Sequence, residues 1–236
     1  MTKKVKVDIF AKNYETSKPL EGDVTDIATG DTWRTDKTGY AHIEVEAGRK
    51  LSLVFNKIVQ TATVKVPDSG LTGHDKEITL QVPGAKLYKA LRVAIGKPKA
   101  GTHHLVTTVS AAGHTLHNDK GEAGVTVTLK SKDGKTVRND AMYLGTVLGK
   151  TEWLRPIAAA RVPGLKKLRH KSTSHDGGAI FRDVPPGDYI LEAHKDGPDG
   201  KKVLFSRAKV TVFKDSPELV NVSPPHSPHV VKAPKP

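Results

Sequence analysis

The chain has 236 residues, with 38 Lys or Arg against 25 Asp or Glu, and a formal net charge of +13. It contains no cysteine, which excludes disulfide frameworks, thiolate catalysis and cysteine-ligated metal sites. Aromatic residues make up only 5% of the chain, while Gly and Pro number 21 and 15, so the composition predicts an all-β fold with frequent turns.

The opening stretch, MTKKVKVDIFAKNYE, alternates charged and apolar residues. This alternation predicts a β-strand. It does not fit a signal peptide, which needs an unbroken apolar run after its lysines. No run in the chain approaches the ~18 apolar residues of a membrane-spanning helix. If Met1 is the native start, we expect synthesis in the cytoplasm. The sequence does not determine the final location of the protein, and a virion and a cell surface are both candidates.

Two distant stretches share a pattern of paired glycines. Gly39 and Gly48 are nine residues apart, and so are Gly178 and Gly187. A run with apolar residues at alternate positions separates each pair, and a further strand follows each second glycine, KLSLVF in one case and DYILEA in the other. The repeat predicts two related β-sandwiches in tandem.

Structural turns are predicted at these four glycines and at the two prolines before the last of them, Pro185 and Pro186. Proline restricts φ and glycine accepts a positive φ, so the sequence VPPGDYILEA predicts a tight turn joining the two strands of a hairpin. An Asp before a glycine suits the same kind of turn, which accounts for the His175-Asp176 pair, and Asp36 holds the corresponding position in the first unit without a histidine beside it. The alternative, an acid–base pair formed by His175 and Asp176, is disfavoured because adjacent side chains of an extended chain point apart.

The second unit is longer than the first because a basic segment interrupts it. The sequence predicts a β-sandwich over residues 1–84, a second over 85–222 with an inserted helical segment at about 135–172, and a Pro-rich tail over 223–236. Between the units, ALRVAI and HHLVTTVS are both interpreted as strands.

The motifs PLEG, TDKTGY, SHDGG and VPPGDY together resemble the carboxypeptidase regulatory-like, or transthyretin-like (prealbumin-like), β-sandwich family. The resemblance covers roughly residues 18–57 and 120–213. It implies an Ig-like or transthyretin-like sandwich that serves as a non-catalytic structural, stabilising or ligand-presenting module. Enzymes of related topology are not matched, since the chain ends in VVKAPKP where hydroxyisourate hydrolases carry Tyr-Arg-Gly-Ser.

Cofactor and metal sites are not predicted. The segment GTVLGKT has three residues between its first glycine and the Gly-Lys pair, whereas a phosphate-binding P-loop needs four. The histidines could supply a zinc or copper site only if distant residues converged, and no acidic partner lies at ligand spacing. A histidine-based metalloenzyme is therefore the least favoured alternative, and we predict no enzyme activity. The histidines considered are His103, His104, His114, His117, His226 and His229.

The basic insertion is the predicted partner-binding region. Trp153, Ile157 and Ala160 lie at helical spacing, which predicts a short helix with one apolar and one basic face. The alternative is a helical cap that only packs on the sandwich. The predicted partner-binding residues are Trp153, Arg155, Arg161, Lys166, Lys167 and Arg169.

These patterns favour a structural or adhesive protein, a subunit of a larger assembly such as a virion or a surface appendage. Its expected partners are other protein subunits, bound through acidic surfaces or by self-association. The alternative is an accessory module that binds a glycan or another polyanion, because the net charge is positive. Nucleic acid is less favoured, since few aromatic residues accompany the basic ones.

Overall fold

A computed structural model describes residues 2–73, 76–111, 121–143, 171–174, 177–197 and 199–222. The fold is mostly β. Within the described residues, no helix is long and apolar enough to cross a membrane.

In the first half, residues 2–84, the described residues form nine strands. Three form one sheet in the order β4-β1-β9, four form a second in the order β3-β2-β6-β7, and two form a small ribbon, β5-β8. The strands are β1 (Lys4–Asn13), β2 (Gly22–Asp26), β3 (Thr32–Thr35), β4 (Tyr40–Glu46), β5 (Lys50–Leu51), β6 (Leu53–Phe55), β7 (Val59–Gln60), β8 (Val64–Lys65) and β9 (Ile78–Val82).

Within its described residues, the second half, residues 85–222, begins with a helix and continues with eight strands. Its sheets have the order β13-β14-β10-β17 and β12-β11-β15-β16, which matches the two main sheets of the first half with β13 added. The elements are α1 (Ala85–Ile95), β10 (His103–Thr108), β11 (Val125–Ser131), β12 (Thr136–Arg138), β13 (Met142–Tyr143), β14 (Gly178–Val184), β15 (Gly187–Asp196), β16 (Lys202–Val212) and β17 (Leu219–Asn221).

One continuous sheet joins the two halves. Strand β17 of the second half runs parallel to β7 of the first, with Leu219 opposite Val59 and Val220 opposite Gln60. This pairing merges two four-stranded sheets into one of eight strands. Any division into two domains near Gly84 therefore separates units that share a sheet, and the boundary itself stays a prediction.

Two hydrophobic cores lie on opposite faces of the second half's part of this sheet. Leu105 and Phe181 belong to the core between this sheet and β12-β11-β15-β16. Ile180 and Leu219 belong to the core of the first half, which also receives one face of α1. Because both faces of the sheet are covered here, Gly178–Phe181 are all buried. A strand with one exposed face would instead alternate between buried and exposed residues.

Residues 85–95 form a helix, so the prediction of a strand at ALRVAI was wrong. Leu87, Leu91 and Ile95 are buried at a spacing of four residues, which is the period of a helix. Val93, which an alternating strand would bury together with Leu91, is 65% exposed. The segment is rich in Ala, Leu, Lys and Arg, all good helix formers, and it ends at Gly96 with φ 84°.

This arrangement predicts very different costs for two neighbouring truncations. We expect Leu91→Ala to lower the free energy of unfolding by about 2–5 kcal/mol, because it removes a buried side chain from the first core. Val93→Ala should change it by no more than about 0.5 kcal/mol. Urea unfolding followed by circular dichroism measures both, and equal losses would contradict the helical assignment.

The segment VPPGDY does not close a hairpin, and that prediction was also wrong. Strands β14 and β15 belong to different sheets, and Pro185 and Pro186 connect them across the sandwich. A two-residue hairpin loop requires positive φ, whereas proline holds φ near −65°. The connection therefore carries the chain from one sheet to the other, as the segment after Gly48 also does between β4 and β5.

Candidate functional site

The predicted partner-binding residues lie outside the described residues. This applies to Trp153, Arg155, Arg161, Lys166, Lys167 and Arg169, and also to the His175-Asp176 pair. Their role in docking stays a prediction.

The predicted turn positions are all described. Gly39 has φ 83°, and a Cβ placed there would lie 2.7 Å from the carbonyl oxygen of Ala11, so both conformation and space require glycine. Gly48 also has positive φ. In the second half, the positive φ falls at Gly177, while Gly178 is the first residue of β14. Gly187 begins β15 directly after the two prolines.

His103 and His104 make structural contacts in β10. The Nδ1 of His103 lies 2.9 Å from the carbonyl oxygen of Pro217. The Nε2 of His104 lies 3.2 Å from the carbonyl oxygen of Gly96, and its Nδ1 accepts the N–H of Asp183 at 3.3 Å, an arrangement that suits a neutral ring. Burial lowers the pKa of His104. Among the described residues, no three His, Asp or Glu side chains come together as metal ligands.

A basic groove lies between the two halves, and its volume is about 420 Å³. One wall is the ribbon β5-β8 of the first half, and the other is the β15-β16 edge of the second half. Of the described residues that line it, five carry a cationic side chain and one, Asp188, carries a carboxylate. The cations are Lys50, Lys65, Lys132, Arg207 and Lys209.

The walls of the basic groove are held together by direct hydrogen bonds. The N–H of Thr63 donates to the carbonyl oxygen of Lys209 at 3.2 Å, and the N–H of Thr211 donates to Thr63 Oγ1 at 2.9 Å. Ser52 and Thr63 share a further hydroxyl contact of 2.8 Å. The groove is therefore a fixed feature of the junction between the halves.

A cluster around Glu192 adjoins the groove on the outer face of the four-stranded sheet. The Glu192 carboxylate lies 2.8 Å from Lys130 Nζ and accepts two bonds from Arg207, at 2.8 and 3.1 Å. Burial alone would raise the pKa of Glu192, but the bonds to Lys130 and Arg207 lower it by more. Burial also lowers the pKa of His194, which its proximity to Glu192 only partly offsets. Glu192 therefore holds the two cations in place and is poorly suited to accept protons.

Thr128, on strand β11, adds to this cluster a hydroxyl group without a hydrogen-bond partner among the described residues. It lies directly opposite Glu192 in the β11-β15 pair, and its hydroxyl is buried. The arrangement of cations around one ionised carboxylate suits the binding of an anion better than proton transfer.

Sequence reasoning missed this site because its residues are distant in the chain. Alternation does indicate that Arg207 and Lys209 share the outer face of a strand. It does not indicate that Lys50 and Lys65, from the first half, face them across a groove. The like charges placed opposite each other on β5 and β8 depend on a pairing that only the fold reveals.

A much smaller cavity lies beneath α1. Its volume is about 60 Å³, and apolar side chains such as Leu87, Leu91 and Leu219 line it together with Gln81. The Oε1 of Gln81 is buried and has no hydrogen-bond partner among the described residues. The cavity is far below the roughly 300–1,000 Å³ of typical ligand sites, so the groove is the stronger candidate.

Comparisons with known proteins assign no family. No family model matches the chain, and no curated protein matches it. A β-sandwich architecture is supported, while the specific resemblance to carboxypeptidase regulatory-like proteins stays a prediction.

Several solved structures align over most of the chain at very low identity. The Bacillus anthracis TIE protein is 14% identical with a TM-score of 0.28, over 92% of this chain and 32% of the other, so the chain spans about a third of that protein. The shaft pilin SpaA from Lactobacillus rhamnosus GG is 10% identical with a TM-score of 0.27, over 95% and 97% of the two chains. BcpA, the major pilin subunit of Bacillus cereus, is 10% identical with a TM-score of 0.25, over 95% and 100%. Likeness at this level carries no argument about function.

Proposed function

We propose that this chain is a non-catalytic structural protein that bears tension as a subunit of a larger assembly, such as a surface appendage or a virion. Its partners are other protein subunits. The observation that carries the proposal is the pairing of terminal strands, which is the same in both halves.

In each half, the first and last strands run parallel to each other. Strand β1 pairs with β9 over five residues, from Ile9 opposite Ile78 to Asn13 opposite Val82. Strand β10 pairs with β17 over three residues, from His104 opposite Leu219 to Val106 opposite Asn221. A pulling force applied to the two ends of a half therefore acts on two strands that are hydrogen-bonded to each other.

Parallel terminal strands resist tension because of where their ends lie. The start of one strand and the end of its partner are at opposite ends of the pair, so pulling slides the strands past each other and loads every hydrogen bond together. In an antiparallel pair, the corresponding ends are adjacent, and pulling opens the bonds one after another. Shear is the more resistant geometry.

The shared sheet extends this arrangement across both halves. Strand β17 is parallel to β10 on one side and to β7 of the first half on the other. Withdrawing β17 along its axis must break both ladders at once. Tension applied to the end of the second half is thereby transmitted to the first.

Single-molecule pulling tests the proposal, and the lack of native cysteine allows attachment at chosen sites. The variant Lys4→Cys/Lys86→Cys places handles at the start of β1 and just after β9, so that pulling shears this pair. We expect its rupture force to exceed severalfold that of Lys4→Cys/Glu44→Cys, whose handles lie at one end of the antiparallel β1-β4 pair.

All three positions are exposed, so the substitutions leave the core intact. Equal rupture forces for the two handle pairs would contradict the proposal. A protein that folds normally yet yields first in shear would contradict it as well.

A further inference from the structure

We propose that the basic groove binds an extended acidic peptide segment of a partner protein, which lies alongside β16 as an added strand. The inference concerns recognition and does not depend on the response to tension. Binding and rupture force are separate measurements, so either proposal can fail alone.

The groove has unbalanced positive charge. Arg207 is paired with Glu192, but within the described residues the other four cations of the groove have no ion-pair partner. The carboxylate that the described lining contains, Asp188, accepts a hydrogen bond from the hydroxyl of Thr211. A ligand for this surface must therefore be anionic.

Two of these lysines oppose each other directly. Lys50 and Lys65 are cross-strand partners in the β5-β8 ribbon, and both are exposed. Like charges in this arrangement destabilise a strand pair. A bound anionic group that neutralises both lysines would explain why the two stand opposite each other. Lys209, on the facing wall, contributes a further positive charge to the same groove.

An open strand edge borders the groove. Strand β16 is the last strand of its sheet, so one side of its backbone has no strand partner among the described residues. Thr63 covers this side only at Lys209 and Thr211. Beyond them, toward Arg207, the edge is available to a peptide that pairs through its backbone.

The spacing of the cations favours an extended peptide. Arg207 and Lys209 are two residues apart on one face of a strand, which separates them by about 6.6–6.8 Å. Every second side chain of an extended peptide has the same spacing, so acidic residues at alternate positions match the row. A second copy of this chain is disfavoured by its net charge of +13.

Sugars and nucleic acid bases commonly stack on exposed aromatic rings. Among the described residues that line the groove, one is aromatic, Tyr189, which is half-buried and donates its hydroxyl to the carbonyl oxygen of Pro185. A peptide is therefore favoured over a polysaccharide or a single-stranded nucleic acid.

Fluorescence anisotropy with a labelled Glu-Thr repeat peptide tests the inference in the full-length chain. We expect binding that weakens as salt rises above about 0.15 M, because most of the attraction is between partly exposed charges. Lys50→Gln/Lys65→Gln should weaken binding about tenfold. The control Lys86→Gln/Lys89→Gln removes the same charge from exposed positions of α1 and should leave affinity unchanged.

The mode of binding has its own control. A peptide of the same sequence with every second backbone amide methylated keeps its charges but cannot pair along an edge strand, and we expect it to lose binding. Equal binding by the methylated peptide would overturn the added-strand geometry. Equal weakening by both double variants, or binding of heparin or single-stranded DNA without binding of the peptide, would overturn the inference.

Discussion

Replacing Asp26 with alanine is expected to lower the free energy of unfolding by about 2–4 kcal/mol, because the change removes a buried carboxylate that accepts several hydrogen bonds. The side chain of Asp26 is fully buried at the end of β2, and its carboxylate accepts a 2.7 Å bond from Arg49. The backbone N–H groups of Ala28 and Ser52 also donate to it, as does the hydroxyl of Thr29. Alanine would leave the N–H groups of Ala28 and Ser52 without this acceptor, while Arg49 and the Thr29 hydroxyl keep their bonds to Asp31.

A neighbouring aspartate on the same strand provides the control. Asp23 pairs with Arg34 at 2.9 Å, but the two side chains are 58% and 62% exposed. We therefore expect Asp23→Ala to cost no more than about 1 kcal/mol. Urea unfolding at neutral pH compares the two variants, and similar losses would show that Asp26 is not the buried centre of this turn.

The second large effect is expected at Gln60, a buried side chain that connects the two halves. Its Nε2 donates to the carbonyl oxygen of Thr211 at 2.7 Å, and its Oε1 accepts the hydroxyl of Ser216. Leucine has a similar size but can replace neither bond. Because Thr211 and Ser216 would each lose a buried partner, we expect Gln60→Leu to lower the free energy of unfolding by roughly 2–4 kcal/mol.

Gln81 is a matched control, for which we expect the same substitution not to lower the free energy of unfolding. It is also buried, yet its Oε1 has no hydrogen-bond partner among the described residues. Gln81→Leu should therefore leave the stability unchanged or raise it by up to about 2 kcal/mol. Chemical denaturation followed by circular dichroism measures both variants, and equal destabilisation would contradict the role given to Gln60.

The strands were largely predictable where one face is buried and the other exposed. In β4, Ala41, Ile43 and Val45 are buried and the residues between them are not, as their alternation in the sequence indicates. The same signal misled at α1, since Leu91, Val93 and Ile95 alternate within a segment whose burial follows a period of four residues. A short apolar run is compatible with either period.

Of the candidate site, only the positive charge could be predicted from the sequence. The positive net charge indicates an anionic partner, but the basic groove combines residues from β5, β8 and β16, which the chain brings together across the junction. The buried polar groups Asp26 and Gln60 were hidden for a similar reason. Asp26 precedes a polar turn in the sequence, and nothing local indicates that Arg49 covers it.

If both halves of the chain resist tension through parallel terminal strands, pulling on the second half should reveal it directly. Handles at Ala100→Cys and Asn221→Cys load β17 in shear against both β10 and β7. Handles at Ala100→Cys and Pro186→Cys lie at one end of the antiparallel β10-β14 pair and open it stepwise. We expect a clearly higher rupture force for the first pair of handles, and an equal or lower force would contradict the tension-bearing role of the parallel strands.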